Sequence, residues 1–280
     1  MRPAGAVARG ETELIVNADD LGKNAEVNAA VAALAEAGLV TSATILANAP
    51  AFEQAVAVMS KLRRCSIGVH LNNTEFAPLT RSAALRPMLD SRGCFRDPFS
   101  IALPSPALLD ALYREWSAQI RRVCRAGIRP THLDSHNHVH ARPVLYPVIR
   151  RLQREFGIDK VRRGKNLYAP VGAYTRGVLV WRRLCHAALL AGTASVTTAG
   201  FTDLPAFCRL WERLGACPSV EIMVHPGHPG YRSDEAVLRS DHWRGIAAHF
   251  RLINYRQLGA APIAAELDER PACPAISNPR

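Results

Sequence analysis

Between residues 13 and 258, short runs rich in β-branched residues alternate with helix-period segments roughly seven times, and no linker-like break in composition interrupts them. Such alternation predicts a parallel sheet with crossover helices, and its continuity predicts one irregular parallel (β/α) barrel rather than two domains. The strand-like runs are ELIVNA at 13–18, Val40 to Ala47, CSIGVHL at 65–71, Thr131 to Ser135, Asp159 to Arg163 and SVEIMV at 219–224. Weaker ones lie at 195–198 and 252–255. Helical patterns fall at 24–37, from Pro50 to Leu62, and at 107–126, 143–156, 174–191, 204–214 and 234–250. Residues 1–12 read as a disordered leader and 259–280 as a loose tail. The irregular stretch 72–106 reads as an insertion forming a lid or rim beside a site.

Chemistry-bearing side chains cluster where these strands end. Asp19-Asp20 follows the first, His70 lies near the end of the third, His136 follows the fourth and His225 follows SVEIMV. A parallel barrel brings its strand C-termini to one mouth, so groups distant in sequence converge there. The densest cluster, THLDSHNHVH at 131–140, holds His132, His136, His138 and His140 around Asp134. Neutral imidazole commonly binds divalent ions, and a nearby carboxylate fixes its tautomer. Strand alternation puts His132, Asp134 and His136 on one face, and Asn17 with Asp19 on one face of the first strand. Inward carboxylates and imidazoles are costly unless paired or metal-bound. Each group also has a plainer reading: a solvated histidine-rich loop, a solvated Asp-Asp turn, or a structural histidine stiffened by Pro226.

Composition narrows the function classes. No apolar run reaches the roughly 18 residues of a membrane span, and the N-terminus lacks the apolar core of a secretory signal. Seven scattered cysteines without a CxxC suit reduced thiols, so a cytoplasmic location is expected. The net charge of +11 comes mostly from arginine, concentrated between Arg121 and Arg183, and reads first as a solvated helix surface. No nucleic-acid module accompanies it, so no specific nucleic-acid partner is expected. Peripheral contact with an anionic membrane stays open should the substrate be a glycolipid. No GxSxG and no nucleophilic cysteine motif point to covalent catalysis.

The segments LIVNADDLG (14–22), VTSATILAN (40–48), IGVHLNNTEFAPLT (67–80), PTHLDSHNHVH (130–140) and EIMVHPG (221–227) together resemble the YdjC-like family of sugar deacetylases. That family includes the ChbG-type chitooligosaccharide deacetylases and hopanoid-associated deacetylases. The matches keep their order and span residues 13 to 256, with Leu21 and Asn137 departing from the usual phenylalanine and histidine. The resemblance implies an α/β fold, an irregular barrel related to the polysaccharide deacetylase (β/α)7 barrel. It also implies one divalent metal ion, with magnesium and zinc foremost, and hydrolysis of the N-acetyl group of an acetamido sugar. The substrate would be an oligosaccharide or glycoconjugate, and the products acetate and a free amino sugar.

By the same resemblance the metal ligands are Asp20, His70 and His136, and Asp19 is the general base. His225 has the position of a general acid, and Asp134 that of a support for a ligand histidine. His140, Asn72, Asn73, His228 and Tyr231 are candidate substrate contacts, with a ligand role for His140 left open; His132 and His138 read as packing or rim residues. Two other readings remain: another barrel metallohydrolase, such as an amidohydrolase or phosphoesterase, and a non-catalytic sugar-binding barrel.

Overall fold

The computed structural model describes residues 12–96, 104–167, 195–215 and 217–259, together with the helical positions 177, 180, 181 and 184. Strand β1 (Glu13–Leu21) is the centre of the sheet. It is buried along nearly its whole length, as a strand covered on both faces must be. β2 (Ser42–Ile45), β3 (Ser66–Leu71), β4 (His132–Ser135) and β5 (Lys160–Val161) follow on one side, while β7 (Ser219–Val224) and then β6 (Gly200–Asp203) follow on the other. Every pairing is parallel. A two-residue β8 (Arg251–Leu252) pairs with Glu13 and Leu14, the part of β1 that β2 does not reach.

The sheet curls until its two edges approach each other. The chain leaving β5 runs to the far edge, where the amides of Asn166 and Leu167 both donate to the carbonyl of Phe201 in β6. The result is a curled, barrel-like parallel α/β sheet with its helices packed outside, in agreement with the expected class. Helix α1 (Ala25–Glu36) starts where the Asn24 side chain accepts from the Val27 amide, and it buries Val27, Val31 and Leu34. α2 (Phe52–Ala57) is short. α3 (Pro106–Arg125) is capped by Ser105, with Pro106 at its first position. α4 (Tyr146–Phe156) ends at Gly157, whose φ of 65° is the left-handed stop that glycine favours.

Several boundaries differ from those expected. β1 continues through Leu21 instead of ending before Asp19. The single helix expected at 234–250 is two, α6 (Arg232–Arg239) and α7 (Asp241–Ala247), because the Ser240 hydroxyl caps the second through the Trp243 amide. β6 was not anticipated. Residues 204–214 give helix α5 (Leu204–Leu210) and then a 3-10 turn, and 195–198 contributes only a bridge at Val196. Most of the helix expected at 174–191, the leader up to residue 11, and the tail from residue 260 lie outside the described residues. No described helix is long and apolar enough to cross a membrane.

Gly68 in β3 marks the tightest packing inside the curl. A Cβ there would lie 2.5 Å from the ring of His132, which is fully buried and stacked on Tyr255 at 3.6 Å between centroids. Gly68→Ala is therefore expected to destabilise the chain by about 1–3 kcal/mol through overpacking. An unchanged urea midpoint would show instead that the His132 ring has room to move.

Candidate metal and catalytic centre

β1 delivers two adjacent aspartates to one site, which a regular strand cannot do because neighbouring side chains point to opposite faces. The register against β2 shifts between Ala18 and Leu21, and Asp20 adopts φ of 65°. A left-handed aspartate costs backbone energy, and here the irregularity turns Asp20 onto the side that Asp19 already faces. Both residues are buried, at 1% and 2% exposure.

Asp20 meets His70 from β3 and His136 from the turn after β4. His136 Nδ1 lies 2.9 Å and His70 Nε2 3.4 Å from the same oxygen, Asp20 Oδ1. No N–H is aligned on that oxygen, so it is a buried acceptor without a hydrogen bond despite the short contacts. Two imidazole nitrogens and an unsatisfied carboxylate oxygen within 4.8 Å of one another are the donor set a small cation takes. The residues present therefore fit the divalent ion implied by the resemblance. Burial alone would raise the Asp20 carboxyl, but the His136 and His70 rings hold it well below the usual carboxylate range.

His70 is steered from its other nitrogen. Its Nδ1 lies 2.7 Å from Asp134 Oδ1, and Thr44 Oγ1 donates to Asp134 Oδ2 at 3.1 Å. Burial works against the charged ring, yet Asp134, Asp20 and Asp19 together raise His70 to about 10. Asp134 thus occupies the His70 nitrogen that points away from Asp20.

A residue the sequence reading passed over organises the floor of the site. Arg162, just after β5, is fully buried. It donates to both oxygens of Asp19 at 2.7 Å and, through Nε, to Glu221 Oε1 at 2.8 Å, and it forms an ion pair with Asp134 Oδ2 at 2.7 Å. Its guanidinium also lies over the Phe201 ring. The expectation that arginines between 121 and 183 form a solvated surface fails here: this one is the interior countercharge for three carboxylates. A second cluster of potential ligands, Asp19, His70 and Asp134, thus already contains a cation. Asp19 is burdened by burial, but Arg162 outweighs that and keeps its carboxyl below the ordinary range. Glu221 is pushed up to about 7 by burial, against the pull of Arg162 and the Tyr255 hydroxyl, which donates to its Oε2 at 2.5 Å.

His225 follows β7 and faces Asp19, with Nε2 4.0 Å from Asp19 Oδ2. Its backbone is fixed by Asp234, which accepts from the His225 amide, and its ring stacks on Tyr231 at 4.2 Å. Burial lowers its pKa, opposed by Asp19 and Asp20. Gly227 two residues on has φ of 74°, and a Cβ there would strike the backbone of Glu26 and Val27, so only glycine lets this loop close over α1.

The expected substrate contacts divide. Tyr231 is 42% exposed, and His228 lies beside it at the opening, its Nδ1 accepting from the Gly230 amide. His140 does not face the opening, which corrects its expected role. Its ring nitrogens are spent on Ser135 Oγ at 2.6 Å and the Arg162 carbonyl at 3.0 Å, so it braces the chain that carries Arg162. Asn72 is also redirected. Fully buried, it donates to Asn48 and the Glu75 carbonyl and accepts from Thr74 and Glu75, shaping the rim loop. Asn73 is buried as well, and its Oδ1 has no partner among the described residues. His138 has its ring edge-on to Phe201, and His132 packs on Tyr255, as packing residues would.

Comparison with known proteins agrees with this architecture. The profile of the YdjC-like protein family matches residues 13–257. A carbohydrate deacetylase of Halalkalibacterium halodurans is 33% identical over 229 residues, covering 77% of this chain and 85% of that protein. One from Brevibacillus brevis is 32% identical over 244 residues, covering 81% and 84%. A crystal structure from Enterococcus faecalis, of a protein assigned to cellobiose-phosphate cleavage, superposes with a TM-score of 0.69 at 23% identity. It covers 88% of this chain and 98% of that one, a likeness of fold.

Proposed function

The chain belongs to the YdjC-like family, and from that premise we propose that it is a carbohydrate deacetylase that hydrolyses the N-acetyl group of an acetamido sugar with one divalent ion. The observation that carries the metal is Asp20 Oδ1, buried and without a hydrogen bond between two imidazole nitrogens. Asp20, His70 and His136 would hold the ion. Two imidazoles with one carboxylate suit zinc better than magnesium, which prefers oxygen ligands. Bound there, it supplies Lewis-acid polarisation and lowers the pKa of water.

The chain's own residues supply the proton traffic. Asp19 Oδ1 accepts from Arg162 and Asn17, and Oδ2 from Arg162, so Oδ2 keeps a lone pair on the side of His225. Asp19 takes the proton of the attacking water there. His225, receiving that proton from Asp19, gives it from Nε2 to the nitrogen that leaves as the sugar amine. The amide C–N bond breaks, water's oxygen ends in acetate, and the amine departs neutral. The substrate would be an oligosaccharide or glycoconjugate entering past His228 and Tyr231.

The test is acetate release from a panel of N-acetylated sugars, using metal-stripped protein with zinc or magnesium restored singly. Acetate released only after metal is restored is the expected result. Phosphate release from sugar phosphates, or sugar binding without hydrolysis, would replace this reading with a phosphoesterase or a sugar-binding barrel.

A further inference from the structure

We propose that Glu75, on the rim loop after β3, is a positioning residue that fixes the tautomer and orientation of His136. This rests on the metal-site reading above but not on the identity of the substrate. The two ligand histidines present opposite nitrogens to Asp20 Oδ1. His70 turns Nε2 towards it and places Nδ1 on Asp134. His136 turns Nδ1 towards it and places Nε2 3.1 Å from Glu75 Oε2.

A neutral imidazole has one N–H and one lone pair, and a carboxylate at one nitrogen draws the N–H to that side. Asp134 does this for His70. Glu75 is the matching carboxylate for His136, leaving the Nδ1 lone pair for an ion. Without it, no described residue at Nε2 selects between the two neutral forms.

Glu75 is itself held. Lys23 Nζ lies 2.7 Å from Glu75 Oε2 and 3.7 Å from Asp20 Oδ2, so one ammonium offsets both carboxylates at this corner. The Glu75 carbonyl accepts from Asn48 at 3.3 Å and Asn72 at 2.7 Å, and its amide donates to Asn72 Oδ1 at 3.2 Å. Asn137, beside His136, donates to Thr74 Oγ1 at 3.0 Å. The rim loop and the histidine turn are thereby joined at two adjacent residues. Asn72 and Asn48 thus act on the site through Glu75.

Zinc titration of the metal-stripped full-length chain, with a competing chromophoric chelator, tests this. Glu75→Ala is expected to weaken zinc binding about 10–100-fold. Glu75→Gln, which keeps an oxygen acceptor for Nε2–H, should recover most of that loss, and Lys23→Met should fall between. In the zinc-loaded parent chain, nitrogen NMR should show His136 bound through Nδ1 and protonated at Nε2. Unchanged zinc affinity in Glu75→Ala, or His136 bound through Nε2, overturns the proposal. Because neither readout uses a sugar, a failed acetate screen leaves it standing, and its failure leaves the acetate screen interpretable.

Discussion

Arg162→Met is expected to be the most damaging single substitution in the site, costing on the order of 3–5 kcal/mol or preventing folding altogether. Asp19, Asp134 and Glu221 would keep their burial and lose their shared cation. That loss is a large share of the roughly 5–15 kcal/mol by which a domain is stable. Arg162→Lys should rescue little, because one ammonium on a flexible stem cannot reproduce three N–H···O bonds and an ion pair made from one planar fork. Glu221 supplies the control. Burial pushes its carboxyl up to about 7, so it holds its charge only weakly. Adding Glu221→Gln to Arg162→Met removes one unpaired charge while keeping an acceptor for Tyr255, and should recover part of the loss. Urea denaturation of the single and double variants reads this directly. An Arg162→Met chain as stable as the parent would mean that water reaches the floor of the site.

The meeting of Asp20, His70 and His136 was legible in the sequence for a physical reason. Asp20, His70 and His136 sit at the ends of strands whose apolar runs are unmistakable, and a parallel sheet gathers such ends together. Arg162 was not legible. Its strand is two residues long, and it lies in the run VRRGK, where arginine ordinarily means a wet surface. The usable signal was across the sheet: Glu221 interrupts an otherwise apolar central strand, and a buried carboxylate requires a cation. That partner arrives from 59 residues away and Tyr255 from 34, separations without local periodicity. Glu75 was hidden differently. The rim insertion has no repeating pattern, and only the folded loop shows what the buried Asn72 is holding. The bulge at Asp20 depends on pairing with β2, so sequence predicted an ordinary turn instead.

Asp19→Asn is expected to lower kcat for acetate release by about 10²–10⁴-fold, the range for loss of a positioned general base. Bound zinc should stay near the parent level, because Asp20, His70 and His136 are untouched. Structural damage should be modest as well. The asparagine oxygen still accepts from Arg162, and Arg162 keeps Asp134 and Glu221 as partners. Separating rate from occupancy matters, because Asp19 has two duties that the geometry entangles. It is one of the anions balancing Arg162, and it carries the lone pair facing His225. Arg162 keeps it ionised and thereby weakens its basicity, so the proton it takes must be passed on readily, and His225 at 4.0 Å is the group placed to receive it. Asp20→Asn is the companion measurement: it should lose zinc and rate together. If Asp19→Asn with zinc bound stays within tenfold of the parent kcat, the base is not Asp19, and the role passes to His225, whose Nε2 lies beside the same site.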